Sequence, residues 1–280
     1  MILLNGKQLS EDILSDLRPR IRNLKLKEIK PTLCIIQVGN RKDSLLYIAK
    51  KKEKCDKLTI LYSVHHLDES CSEMQIINII QNANKTNCIH GILVQLPLPQ
   101  HLNKHTILNT IDPLKDIDGF HFHNTGKLVL NQGNYLSPCT PRACMQLLES
   151  YRINLQGKHA VIIGCSNVVG LPLSILLLQK NATVTICHIH TKNSKQITQQ
   201  ADIIISCCGV PHLVQEDWIK ENTIIIDCGI NTKNNKLVGD VDFENVKHKC
   251  SHITPVPGGV GPMTIAILLT QLIEICERLI

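Results

Sequence analysis

Ser44, Tyr47 and Lys51 stand three and four residues apart, the spacing that puts a hydroxyl, a phenol and an amine on one face of a helix. An amine one turn from a phenol, on a largely apolar helix, is a candidate proton-transfer device, because partial burial favours its neutral form. Lys50 and Lys52 point elsewhere on the same helix. Taken alone, a run of three lysines is usually a solvated face, so the reading needs partners from other parts of the chain.

Gln95 ends the apolar run Gly91-Ile92-Leu93-Val94, at a point where Pro97 and Pro99 stop a strand. Asp118 lies in Lys115-Asp116-Ile117-Asp118-Gly119-Phe120, where Asp-Gly is also an ordinary turn. Further on, a strand ending at Gly164 runs into Ser166 and Gly170, which places backbone N–H groups and a helix start where a pyrophosphate could sit. The spacing is G-x-S-x-x-x-G, not G-x-G-x-x-G, so the fingerprint itself is weak. The next strand ends in Cys187-His188-Ile189-His190-Thr191-Lys192 with no acid to bind ribose hydroxyls, which leans towards NADP and leaves NAD open. Gly258, Gly259 and Gly261 permit close backbone approach, to a ligand or as an interdomain hinge, and Pro262 suits the first turn of a helix. His121/His123 and His188/His190 are H-x-H pairs without a third ligand at useful spacing, so no metal is expected.

These residues need a scaffold of alternating strands and helices. A helix over 10–28, with Ser10 as N-cap, precedes strands at 32–38, 59–67 and 91–95. Helices opening at Ser44 and spanning 72–84 separate them. A break at Pro138-Cys139-Thr140-Pro141 leads into a helix over 142–151. Strands at 159–164, 183–187, 203–205 and 223–227 follow, with a helix over 168–179 and a last one over 263–279. The pattern is an α/β fold with open, mostly parallel sheets and ligands at the strand carboxyl ends. The expected domains are 1–139 plus 263–280, and 140–262.

The 280 residues suit two domains. Aromatic residues make up only 3%, so Ile, Leu and Val must build the cores, and a net charge of +6 from dispersed basic residues argues against a nucleic-acid surface. Thirteen cysteines, an odd number mostly in apolar runs, read as reduced buried thiols in a cytoplasmic setting. No signal peptide and no membrane span of about 20 apolar residues is expected.

The stretches Val38-Gly39-Asn40-Arg41 with Asp43, Ser44, Tyr47 and Lys51, then GILVQLPLP (91–99), KDIDGF (115–120), PCTPR (138–142), Gly164 to Pro172 and TPVPGGVGPMT (254–264) together resemble the bifunctional methylenetetrahydrofolate dehydrogenase/cyclohydrolase family. They keep the family's order across essentially the whole chain, and the second and the last are highly specific. The resemblance implies an N-terminal folate domain and a Rossmann-like NAD(P) domain flanking a cleft, a C-terminal helix returning to the first domain, and a homodimer joined through the cofactor domains.

It also implies roles. Lys51 would be the catalytic lysine, Tyr47 would stack on the folate, and Gln95 would hydrogen-bond to Lys51. Ser44, Asp118, Gly259 and Pro262 would line the substrate site. Thr140, Gly164, Cys165, Ser166, Val169, Gly170, His188, Ile189, His190, Cys208, Gly209 and Ile230 would form the cofactor site. Hydride transfer from methylenetetrahydrofolate to NADP would be followed by hydrolysis to 10-formyltetrahydrofolate, for which Lys51 would need its pKa lowered by about two to three units. Cys165 and Ile189 stand where many family members carry polar or charged residues, so the expectation of NADP rests mainly on the missing acid, with His190 or Lys192 as substitutes. A dehydrogenase lacking the hydrolase and a non-catalytic nucleotide- or nucleic-acid-binding protein are the alternatives.

Overall fold

A computed structural model describes residues 1–234 and 236–280. In chain order the elements are β1 (Ile2–Leu3), α1 (Gly6–Leu26), β2 (Thr32–Val38), α2 (Lys42–Leu58), β3 (Leu61–Leu67), α3 (Glu73–Lys85), β4 (Gly91–Val94), α4 (Lys104–Thr110), α5 (Phe122–Leu130), α6 (Cys139–Ser150), β5 (His159–Ile163), α7 (Gly170–Gln179), β6 (Thr183–Cys187), α8 (Ser194–Thr198), β7 (Ile203–Ser206), β8 (Thr223–Asp227), β9 (Asn231–Lys233), β10 (Lys236–Val238), α9 (Phe243–Val246), β11 (Cys250–Ile253) and α10 (Val260–Glu277). They form two compact units, the β2 unit and the β5 unit, each called after one of its strands. The β2 unit comprises Asp12–Lys127, Gly133–Ser137 and Leu268–Ile280, and the β5 unit Met1–Glu11, Leu128–Gln132 and Pro138–Ile267.

In the β2 unit a parallel sheet runs β3-β2-β4. Leu33, Cys34, Ile35 and Ile36 are fully buried, which is why this strand reads as a continuous apolar run. Ile76, Ile80, Ile92 and Ile107 complete one side of its core, each burial contributing roughly 2 kcal/mol. Helix α3 starts at a capping box in which the Ser72 and Gln75 side chains each accept the other's backbone N–H. Because α2 leads from β2 to β3 on one side and α3 returns to β4 on the other, the winding reverses at β2. Ligands of open α/β sheets sit at the strand carboxyl ends beside such a reversal.

The β5 unit has an all-parallel sheet in the order β1-β11-β8-β7-β5-β6. Its winding reverses between β5 and β7, and Val161, Ile204, Ile225 and Ile253 pack together at its centre. Strands β9 and β10 form a separate antiparallel pair.

The domain limits expected from the sequence differ from these units at 1–11, at 128–132 and at 263–267, all of which fall in the β5 unit. Ile2 and Leu3 pair with His252 and Ile253, and Lys7 N donates to Gly258 O at 2.7 Å, so the first eleven residues join the β5 unit. Ser10 is not an N-cap. It lies inside α1, 2% exposed, with Oγ donating to Lys7 O. Helices α2, α6 and α10 begin two or three residues earlier than expected, at Lys42, Cys139 and Val260. The strand expected from Thr59 begins at Leu61, because Thr59 takes a left-handed C-cap with φ 54°. By length and composition α10 could cross a membrane, contrary to the expectation of no such stretch; here Ala266, Leu269, Leu272 and Ile273 on it are fully buried in the protein.

Candidate functional site

Helix α2 follows the carboxyl end of β2 through Gly39, whose φ of 70° suits glycine and whose carbonyl accepts from Gln37 Nε2 and lies 3.1 Å from His66 Nε2. Its inward stripe is Ser44, Ile48, Lys51, Cys55 and Leu58, with Tyr47 half-buried beside it. Lys51 is therefore an amine-bearing side chain on a buried face, 6% exposed, whereas Lys50 and Lys52 are exposed. Lys51 Nζ donates to Gln95 Oε1 at 2.9 Å. Gln95 is fixed at the end of β4, its N donating to Ile36 O and its Nε2 to Leu96 O. The pair thus joins α2, which follows β2, to the end of β4, across the winding reversal. Desolvation pushes the neighbouring Cys55 thiol up to about 12, a measure of how dry the stripe is.

The 115–120 loop lies beside β4 through a parallel bridge between Ile92 and Asp116. Two of its charged residues are structural, a division the sequence did not reveal. Lys115 Nζ donates to the carbonyls of Ala83, Asn84 and Thr86 and closes the end of α3. Asp116, 1% exposed, accepts from His121 N and Asn124 Nδ2, and burial holds its pKa above the usual carboxylate range. Asp118 is half-buried and precedes Gly119, whose φ is 69°.

In the β5 unit the expected cofactor residues gather at the carboxyl ends of adjacent strands. Gly164, Cys165, Ser166 and Val169 follow β5, His188, Ile189 and His190 follow β6, Cys208 and Gly209 follow β7, and Ile230 follows β8. Gly164 has φ 121°, and a Cβ there would lie 2.6 Å from Cys207 O; a Cβ on Gly170 would overlap Gly164 O. The turn is thereby a tight cradle that only glycines permit, which fits a dinucleotide phosphate bound at the start of α7. Ser166 Oγ accepts from Val169 N at 3.2 Å. Thr140 stands apart from the strand ends, in the first turn of α6, with Oγ1 3.3 Å from Thr264 Oγ1. Gly259 and Pro262 belong to the same unit, and a Cβ on Gly6 would overlap Gly259 O, so the glycine-rich turn accommodates the start of α1.

Both H-x-H pairs are local turns: His121 Nδ1 accepts from His123 N, and His188 Nδ1 from His190 N. Among the described residues no group of three or more His, Cys, Asp or Glu is arranged to hold a metal. All thirteen cysteines are free. The sequence reading missed the buried acids Asp227 and Asp240; their one local signal is the glycine beside or near each, Gly229 and Gly239.

Comparison with known proteins agrees with this arrangement. The chain matches the family models of the tetrahydrofolate dehydrogenase/cyclohydrolase catalytic domain over residues 4–118 and NAD(P)-binding domain over 138–280. It is 45% identical to the bifunctional protein FolD of Aquifex aeolicus, over 99% of this chain and 96% of that protein. It is also 45% identical to the mitochondrial C-1-tetrahydrofolate synthase of Saccharomyces cerevisiae, of whose length it spans 29%. The crystal structure of the bifunctional FolD methylenetetrahydrofolate dehydrogenase/cyclohydrolase of Campylobacter jejuni superposes with TM-score 0.98 at 46% identity, covering all of both chains. That of the Trypanosoma brucei enzyme, complexed with NADP cofactor and inhibitor, gives 0.95 at 32% identity, covering 99% of this chain and 97% of that one. With both halves matched in order and the full length shared, the chain belongs to the tetrahydrofolate dehydrogenase/cyclohydrolase family.

Proposed function

We propose that the chain oxidises 5,10-methylenetetrahydrofolate with NADP and then hydrolyses the methenyl product to 10-formyltetrahydrofolate, with Lys51 as the proton-transfer group. The observation that carries this reading is the buried Lys51 with Nζ on Gln95 Oε1 at the β2/β4 winding reversal. Bound NADP supplies the hydride acceptor, and its fit rests on the Gly164–Gly170 cradle and the absence of an acid from 187–192.

Oxidation of the substrate's methylene bridge needs alignment more than acid–base help. Tyr47, one turn before Lys51, offers a flat face for the folate ring system, and Ser44 and Asp118 offer polar contacts to it. Hydrolysis needs a base for the attacking water and then a proton on the departing nitrogen. Lys51 Nζ, buried and held on Gln95 Oε1, is the group placed to serve both needs. The amine takes the proton from water as the C–O bond forms and returns it as the ring C–N bond breaks.

We further propose a homodimer through the β5 unit, where β6 is an unpaired sheet edge and Leu171 and Leu178 on α7 are exposed. Thirteen free cysteines support a reducing compartment such as the cytoplasm. The test of function is a spectrophotometric assay of methylenetetrahydrofolate with NADP and with NAD, following reduced cofactor and methenyl product separately. Reduced NADP without methenyl accumulation is expected. Accumulating methenyl product would leave a dehydrogenase alone, and no cofactor reduction would overturn the reading.

A further inference from the structure

We propose that Asp240 is the positioning residue of the cofactor-site turn Cys208–Gly209, holding both backbone N–H groups through one carboxylate oxygen, and that Asp227 fixes Asp240 in turn. The inference rests on the assignment of the dinucleotide to the β5-unit rim. Asp240 is fully buried. Its Oδ2 accepts from Cys208 N at 2.9 Å, Gly209 N at 3.1 Å, Ser206 Oγ at 3.2 Å and Cys208 Sγ at 3.4 Å, and its Oδ1 accepts from Asn231 Nδ2 at 2.8 Å. Among the described residues these side-chain partners are all neutral donors, so a buried carboxylate is held without a cation. Each of these donors offsets part of the cost of burying the acid.

Asp227, at the end of β8, accepts from Gly229 N at 2.8 Å, Asp240 N at 3.1 Å and Val241 N at 2.9 Å. A Cβ at Gly229 would run into the Asp240 carboxyl, and one at Gly239 into that of Asp227, so both glycines make room for the acids. The result is a relay from β8 through the 239–241 segment to the turn after β7. Gly209, with φ 70°, bends so that its N–H and that of Cys208 converge on Asp240. Neither N–H is then available to a phosphate. The turn serves the cofactor by its shape, which Asp240 sets from beneath.

The test uses full-length Asp240→Asn, which keeps the size but leaves a single acceptor. Three quantities are read: amide hydrogen exchange across 206–210 without cofactor, NADP affinity by calorimetry, and hydrolysis of methenyltetrahydrofolate without cofactor. Exchange at 208–209 is expected to rise at least tenfold, Kd and KM for NADP at least fivefold, with kcat and hydrolysis within twofold. Unchanged exchange with NADP affinity within twofold would overturn the proposal, as would a parallel fall in hydrolysis, which would mark a general loss of fold. Should that variant not fold, Asn231→Ala, which removes one donor to the carboxylate, is expected to weaken NADP two- to threefold, and unchanged affinity would overturn the proposal. If the wild-type chain binds no NADP, the cofactor reading fails, while the exchange at 208–209 still decides whether Asp240 holds the turn.

Discussion

Gln95→Glu places a carboxylate oxygen 2.9 Å from Lys51 Nζ with almost no change in shape. At an effective dielectric constant of about 20 the attraction is of order 5 kcal/mol, and since Gln95 is half-buried we discount it by half, to about 2–3 kcal/mol. That energy favours the ammonium over the free amine and lowers the population of the base roughly 30- to 160-fold. Hydrolysis of methenyltetrahydrofolate at pH 7, corrected for the spontaneous reaction, is expected to fall by that factor and to recover as pH rises. Hydride transfer, which depends on alignment, is expected to fall less than fivefold. Hydrolysis within threefold of wild type at pH 7, or a loss that does not change with pH, would refute the reasoning.

Gly164→Ala sets a Cβ 2.6 Å from Cys207 O at a φ of 121°, so the cradle must shift; NADP affinity measured by calorimetry should drop at least tenfold while hydrolysis stays within threefold. Lys115→Met strips three carbonyls of their donor at the end of α3; chemical denaturation should show a loss of about 1–3 kcal/mol, with activity per folded molecule nearly unchanged. Burial raises Asp227 to about 7 in the fold against 3.8 when unfolded, so between those values the folded state binds the extra proton and this group makes stability fall as pH rises, by roughly 1 kcal/mol per pH unit, levelling above 7. Asp227→Asn should remove that slope in melts run from pH 4 to 8; a slope equal to wild type would show that Asp227 titrates normally.

Legibility followed how local each cause is. Strand β2 was read to the residue because its burial leaves a continuous apolar run, and the helix expected over 72–84 lies within one residue of α3 at each end. The start of α1 was misread since Ser10 satisfies a local cap rule, whereas the partner of Lys7 N lies at Gly258. Strand β11, only four residues long with half-buried Ser251 and His252, carries no apolar period, yet it sits between β1 and β8. In the site, spacing alone put Ser44, Tyr47 and Lys51 on one face, and the family resemblance paired Lys51 with Gln95, a hydrogen bond present in the structure. Lys115, Asp227 and Asp240 were invisible as structural groups because their partners lie up to 34 residues away.

The central claim is that one buried amine performs the hydrolysis. Lys51→Met fills the same space without a titratable group, and the decisive measurement is its rate of methenyltetrahydrofolate hydrolysis. We expect a fall of 10²-fold or more, with Lys50→Gln and Lys52→Gln near wild type. Near-normal hydrolysis by Lys51→Met would contradict the account.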